Sequence, residues 1–200
     1  MALMTKRFSD AVQFALDLHG QQFRKSTNIP YVGHLLRVAG LTIEYHADED
    51  TAIAAVLHDA VEDQGGIPIA DKIREMFGAR VRGFVMDCSD SFGKVGEKKR
   101  PWRERKEAYI EHLFKAPAES RLISSCDKLD NLRCSIACYR EEGPRFWKRF
   151  NSSQDDYLWY YHTIIDVLEQ TGGTPALQDL KDTHRLFLET IRKQLDQPLV

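Results

Sequence analysis

Between Ala54 and Asp63 the chain reads Ala-Ala-Val-Leu-His-Asp-Ala-Val-Glu-Asp, an apolar run that abruptly carries one imidazole and three carboxylates. Groups of these types bind divalent cations and move protons. At 3.6 residues per turn, a continuous helix places His58 and Glu62 on one row and Asp59 and Asp63 on the next, forming one broad polar stripe. The upstream flank, Ile53 to Leu57, is wholly apolar, which puts the stripe against a crowded interior. Buried ionisable groups are costly unless they are paired or ligate a cation, so a bound metal rationalises the stripe. The competing reading is a helix with an acidic last turn and His58 as a core histidine. Carboxylates at a helix C-terminus oppose the helix dipole, however, and that favours a functional reason for Glu62 and Asp63.

Two distant residues extend the set. His34 sits one helix earlier, and Asp127 lies far downstream in Ser125-Cys126-Asp127-Lys128-Leu129-Asp130-Asn131. Two imidazoles and two carboxylates suit Mn²⁺, Fe²⁺, Co²⁺ or Zn²⁺ rather than a thiolate zinc cage. On a six-coordinate ion they leave positions open for water and a phosphate oxygen. Glu62 or Asp63 would then orient the attacking water or take its proton, with Glu62 the preferred catalytic member.

A second constellation is basic: Lys94, Lys98, Lys99, Arg100, Arg103, Arg105 and Lys106, within or just after the stretch 89–101, which has Gly93, Gly96 and Pro101 and reads as a loop. It suits a polyanionic nucleotide, a solvated charge run or RNA. Further on, Tyr157 and Tyr161 share a helix face and would wall a nucleoside pocket or pack in the core.

The elements that must position these groups read helical almost throughout. Apolar periodicity and stop signals predict helices from Phe8 to near Gly20, from Pro30 through Ile43, and from Asp48 to Asp63, the last broken by Gly65-Gly66. More follow near 67–77, 79–88, 102–114, 117–138, 153–170 and 176–195, with a turn at Gly143-Pro144. The expected fold is an all-α bundle of about eight to ten helices in a single domain spanning 1–200, its core at 8–165 and its C-terminal helices 153–195 packed on it. A hydrophobic share of 42% supplies a core, and a net charge of -2 calls for neither nucleic acid nor an anionic membrane as partner. Four cysteines without a Cys-x-x-Cys pair, no leader-like start and no membrane-length run suggest a cytoplasmic protein. Oligomeric state is open at this level.

Arg24-Lys25, Pro30-Tyr31-Val32-Gly33-His34, His58-Asp59-Ala60-Val61-Glu62-Asp63 and Asp127-Lys128-Leu129-Asp130-Asn131-Leu132-Arg133 occur in that order. In order and spacing they resemble the hydrolase domain of the RelA/SpoT group, and in particular the stand-alone small alarmone hydrolases. The resemblance implies an all-helical HD fold, one Mn²⁺, and removal of the 3′-pyrophosphate from (p)ppGpp to give GDP or GTP. It implies His34, His58, Asp59 and Asp127 as metal ligands and Glu62 and Asp63 as the acidic pair beside the water. Arg24 and Asn131 match nucleoside contacts, and Lys25 belongs to the same substrate-side motif. The resemblance favours substrate phosphates for the basic constellation, with Lys98, Lys99, Arg103 and Lys106 as the contacts. Two departures stand out: Ser124 where the family commonly has Lys, and Asp130 where Tyr or His often precedes the Asn. Both are expected on the nucleoside side. A (p)ppApp hydrolase, another HD nucleotide phosphohydrolase (an NADPH 2′-phosphatase or a nucleotidase) and a non-catalytic nucleotide-binding module are the alternatives.

Overall fold

The computed structural model describes residues 4–93 and 100–195, and the helical expectation is borne out there. In chain order the helices are α1 (Lys6–His19), α2 (Val32–Glu44), α3 (Glu49–Val56), α4 (Ala60–Gln64), α5 (Ile67–Phe77), α6 (Ala79–Cys88), α7 (Trp102–Lys115) and α8 (Ala118–Glu142). A 3-10 segment (Gly143–Arg149) follows, where the sequence suggested a simple turn, and then α9 (Gln154–Gln170) and α10 (Leu177–Leu195). Among the described residues the strand-like pairing is a single antiparallel bridge between Phe23 and Pro30, and no helix is long and apolar enough to cross a membrane.

Local chemistry sets several of these boundaries. Asp48 caps α3 by accepting from the Thr51 N–H at 2.9 Å, and Ser153 caps α9 by accepting from the Asp156 N–H at 3.0 Å. Such a cap contributes about 1 kcal/mol. Thr51 to Val56 are all buried, so beyond its acidic first residues α3 has no solvent face and sits among α1, α2 and α6. A helix apolar on every side belongs in a core, and its alanines let the neighbours approach closely.

Two apolar cores result. The first gathers α1 to α6 around Leu35, Ile53, Leu57 and Ile73. The second gathers α7, α9, α10 and the 3-10 segment around Leu113, Tyr139, Phe146, Ile164 and Phe187. The long helix α8 belongs to both: Leu122, Ile123 and Cys126 enter the first, and Leu129, Leu132, Ile136 and Tyr139 the second. Asp127, Lys128, Asp130 and Asn131 therefore lie where the two cores meet.

The largest departure from the sequence reading is a break in the His58 helix. It is not continuous from Asp48 to Asp63; α3 stops at Val56, and α4 begins at Ala60 after a turn. The cause is local. His58 Nδ1 lies 2.8 Å from the Ala55 carbonyl oxygen, the acceptor that the Asp59 N–H would take in an unbroken α-helix. Glu62 and Asp63 accordingly belong to the short helix α4, which spans Ala60–Gln64, rather than to the last turn of one long helix.

Candidate metal centre and substrate cleft

His34 comes from the first turn of α2, His58 and Asp59 from the turn after α3, and Asp127 from the middle of α8. One ligand atom each from His34, His58 and Asp59 lies within 4.8 Å of the others. Asp127 joins them, with Oδ1 at 3.2 Å from His34 Nε2 and 3.6 Å from His58 Nε2. Asp59 Oδ2 is 2.9 Å from His58 Nε2 and 3.6 Å from His34 Nε2.

The far side of each ring is committed. His58 Nδ1 is on the Ala55 carbonyl, and His34 Nδ1 is 2.6 Å from Asp130 Oδ2. With a proton on Nδ1, each ring turns a bare Nε2 toward the carboxylates, and both Nε2 atoms are buried without a hydrogen-bond partner. Orphaned buried polar atoms are rare and call for an explanation. Two imidazole lone pairs facing two carboxylates repel one another unless a cation lies between them, so the donor set fits a divalent metal.

Electrostatics agree. Burial opposes charge on every member. Even so, the carboxylates of Asp127, Asp130 and Asp59 push the His34 pKa up to about 9, and the adjacent Asp59 charge carries His58 well above its usual value. In the absence of a cation the cluster thus draws protons onto the rings instead. Against burial, Lys128 and the imidazoles hold Asp127 well below the carboxylate range, and His58 and His34 do the same for Asp59. The carboxylates stay ionised, and the space between the rings demands positive charge.

The outer bonds fix the cluster further. The Tyr31 hydroxyl donates to Asp59 Oδ2 at 2.6 Å. Asn131 Nδ2 donates to Asp127 Oδ1 at 2.5 Å, and the Lys128 ammonium donates to Asp127 Oδ2. These groups open on a polar cleft of about 180 Å³ that Glu62 and Asp63 also line. Asp63 Oδ2 accepts from Gln22 Nε2 at 2.8 Å. Glu62 Oε1 lies 3.7 Å from the Arg105 guanidinium, and Glu62 Oε2 lies 3.4 Å from the Asp90 N–H.

A second cleft, about 290 Å³, adjoins the first and is lined by Arg24, Lys25, Asn131, Phe150, Tyr157 and Tyr161 among others. Tyr31, Lys106, Lys128, Asn131 and Tyr160 line both. Arg24 donates to Asn131 Oδ1 at 2.7 Å. The Tyr157 hydroxyl meets Ser135 Oγ at 2.9 Å, and Lys25 Nζ lies 5.8 Å from the Phe150 ring. Arg24, Lys25, Lys106, Asn131 and Tyr157 are thus brought together.

Arg103 is not. It lines neither cleft; its guanidinium lies 3.2 Å from the Trp159 ring centroid and pairs with Glu107 and Asp156. Lys98 and Lys99 lie outside the described residues. The two departures also move: Ser124 Oγ accepts from the Tyr109 hydroxyl, and Asp130 sits behind His34, so neither lines the nucleoside-side cleft.

Tyr31, Lys128 and Asp90 line the polar cleft without having been singled out from the sequence. Tyr31 and Lys128 lay inside motifs already marked, one residue from a site group or a few away. Asp90 carried no local signal, whereas Arg105 belonged to the basic constellation. Asp90 takes hydrogen bonds from Arg105 and from Lys106, the latter at 2.7 Å, and thereby holds both cations beside Glu62.

The family model described as HD domain matches residues 11–150. A Drosophila melanogaster protein, the guanosine-3′,5′-bis(diphosphate) 3′-pyrophosphohydrolase MESH1, is 34% identical over 178 residues, covering 88% of this chain and 90% of its own. The Xenopus tropicalis protein of the same name is 32% identical, covering 90% of this chain and 92% of its own. A solved structure described as a metazoan ortholog of SpoT that hydrolyses ppGpp superposes with a TM-score of 0.74 at 30% identity, covering 93% of this chain and 98% of that one. The resemblance seen in the motifs therefore holds over nearly the whole length: this chain belongs to the HD domain family, within its group of short MESH1-like proteins.

Proposed function

We propose that this protein is a Mn²⁺-dependent 3′-pyrophosphohydrolase acting on (p)ppGpp, releasing pyrophosphate and GDP or GTP. One observation carries the reading: two bare, buried Nε2 atoms face two ionised carboxylates, Asp59 and Asp127, that line a polar cleft together with Glu62 and Asp63. The names of the relatives point to the same substrate.

His34, His58, Asp59 and Asp127 would hold the cation. When bound there, a divalent ion supplies neutralising charge at the phosphoryl group and acidifies water. The chain supplies the rest. Glu62 takes the proton of the attacking water, and Asp63, steadied by Gln22, orients that water. Lys106 and Lys128, on the walls common to both clefts, hold the 3′-pyrophosphate. Arg24, Lys25, Asn131 and Tyr157 hold the nucleoside in the adjoining cleft, and Lys98 and Lys99 add phosphate contacts. The scissile bond then lies where the clefts join. Because α8 contributes to both cores, we take the described helices to work as one domain. All four cysteines are free thiols, which suits the reducing cytoplasm.

The test is incubation of the purified protein with Mn²⁺ and ppGpp, ppApp, NADPH or a cyclic nucleotide, following pyrophosphate and orthophosphate. Pyrophosphate release from ppGpp is expected. No turnover of any compound, with nucleotide binding intact, overturns the enzyme reading, and orthophosphate from NADPH alone replaces the substrate.

A further inference from the structure

We infer that Asp130 is a positioning residue for the metal centre, acting through His34; the inference rests on the metal-dependent reading above. Asp127 and Asp130 are three residues apart on α8, so one helical turn presents both toward α2. They grip the two nitrogens of the same ring: Asp127 Oδ1 lies 3.2 Å from His34 Nε2, and Asp130 Oδ2 lies 2.6 Å from Nδ1. The first group shares the cation with His34. The second holds the Nδ1 proton, and so keeps the Nε2 lone pair aimed into the cluster. It also places a full negative charge behind the ring, which complements the cation in front of it.

The surroundings of Asp130 are built for that task. Its side chain is only 4% exposed, so an ionised carboxylate there needs compensation. Arg37 provides it with two hydrogen bonds, Nε to Oδ1 at 2.5 Å and a terminal nitrogen to Oδ2 at 3.2 Å. Arg24 adds charge at 3.6 Å. Both carboxylate oxygens thus accept from donors, and an asparagine cannot replace them: with one oxygen, it turns its NH₂ against either His34 or Arg37. His58 shows the contrast. Its Nδ1 is held by the neutral Ala55 carbonyl of its own turn, so a charged partner behind a ligand ring is found on the α2 side of the centre.

The experiment measures Mn²⁺ affinity of chelator-stripped protein by calorimetry, together with thermal midpoint, kcat and KM. Asp130→Asn should bind Mn²⁺ roughly 10- to 100-fold more weakly. At saturating Mn²⁺ its kcat should return to near the wild-type value with KM for the nucleotide unchanged. Arg37→Met breaks the ion pair but leaves the carboxylate on His34, so it should weaken Mn²⁺ binding by no more than about threefold, well short of that loss. Wild-type affinity in Asp130→Asn, or an equal loss in Arg37→Met, overturns the inference. If Asp130→Asn does not fold, the wild-type protein loaded with ¹¹³Cd²⁺ decides by NMR. Coupling of the cadmium to His34 Nε2, with a proton retained on Nδ1, supports the role, and coupling to Nδ1 overturns it. Failure of the wild type itself to bind Mn²⁺ would instead sink the metal reading.

Discussion

His58 Nδ1 lies 2.8 Å from the carbonyl oxygen of Ala55, three residues earlier in the chain. That contact ends α3, frees Asp59 to face the same point as His58 Nε2, and turns the following residues into a separate helix. Asp59 and the acidic pair thereby line one cleft. Asp59→Ala and Asp127→Ala should each lose the bound cation, read as metal content after gel filtration. Stoichiometric metal in either variant would show that the ligands are misassigned.

Glu62→Gln and Asp63→Asn keep the size of the side chains and remove the proton acceptor. Both should retain metal, and Glu62→Gln should lower kcat by roughly 10²- to 10⁴-fold, the usual range for general acid–base help. If Glu62→Gln turns over normally while Asp63→Asn does not, the proton goes to Asp63.

Asp90 gives a pH signature. Lys106 and Arg105 outweigh its burial and hold its pKa below the usual carboxylate value. A group depressed in the folded state contributes stability above its unfolded pKa, about 3.9, and loses it as pH falls through the folded value. Asp90→Asn should cost about 1–3 kcal/mol at pH 7. The gap from wild type should shrink below about pH 4, read by urea unfolding at both pH values. An equal gap at both would show that the carboxylate charge is not the stabilising feature.

Gly66 sits at φ +67, and a Cβ there would lie 2.3 Å from the Phe92 carbonyl oxygen and 2.7 Å from that of Gly93. Those are backbone atoms and cannot rotate away. Gly66→Ala should therefore destabilise by about 2–3 kcal/mol, from left-handed strain plus overlap. Because Gly66 joins α4 to α5, activity should fall with it. Unchanged unfolding would show that this turn relaxes freely.

Arg103 and Lys106 are three residues apart, yet only Lys106 lines the clefts. Lys106→Met should raise KM about tenfold or more, the loss of one charge-assisted contact. Arg103→Ala should leave kcat/KM within about twofold, since its partners are at the surface. A large KM effect for Arg103→Ala would return it to the substrate.

Helical periodicity, glycine and proline stops and the ordered motifs were enough to read an all-α HD bundle and to mark His34, His58, Asp59 and Asp127, which the structure brings together, and the acidic pair beside them. Those features are local, or depend on residue type and order, and so survive in one dimension. The break at His58 was not legible, because a side chain replacing a backbone acceptor leaves the apolar pattern untouched. Nor were the commitment of Asp130 to His34 across 96 residues, the hold of Asp90 on Arg105 and Lys106, or the diversion of Arg103 to Trp159. Each depends on which helix faces which, and packing of the two cores along α8 decides that.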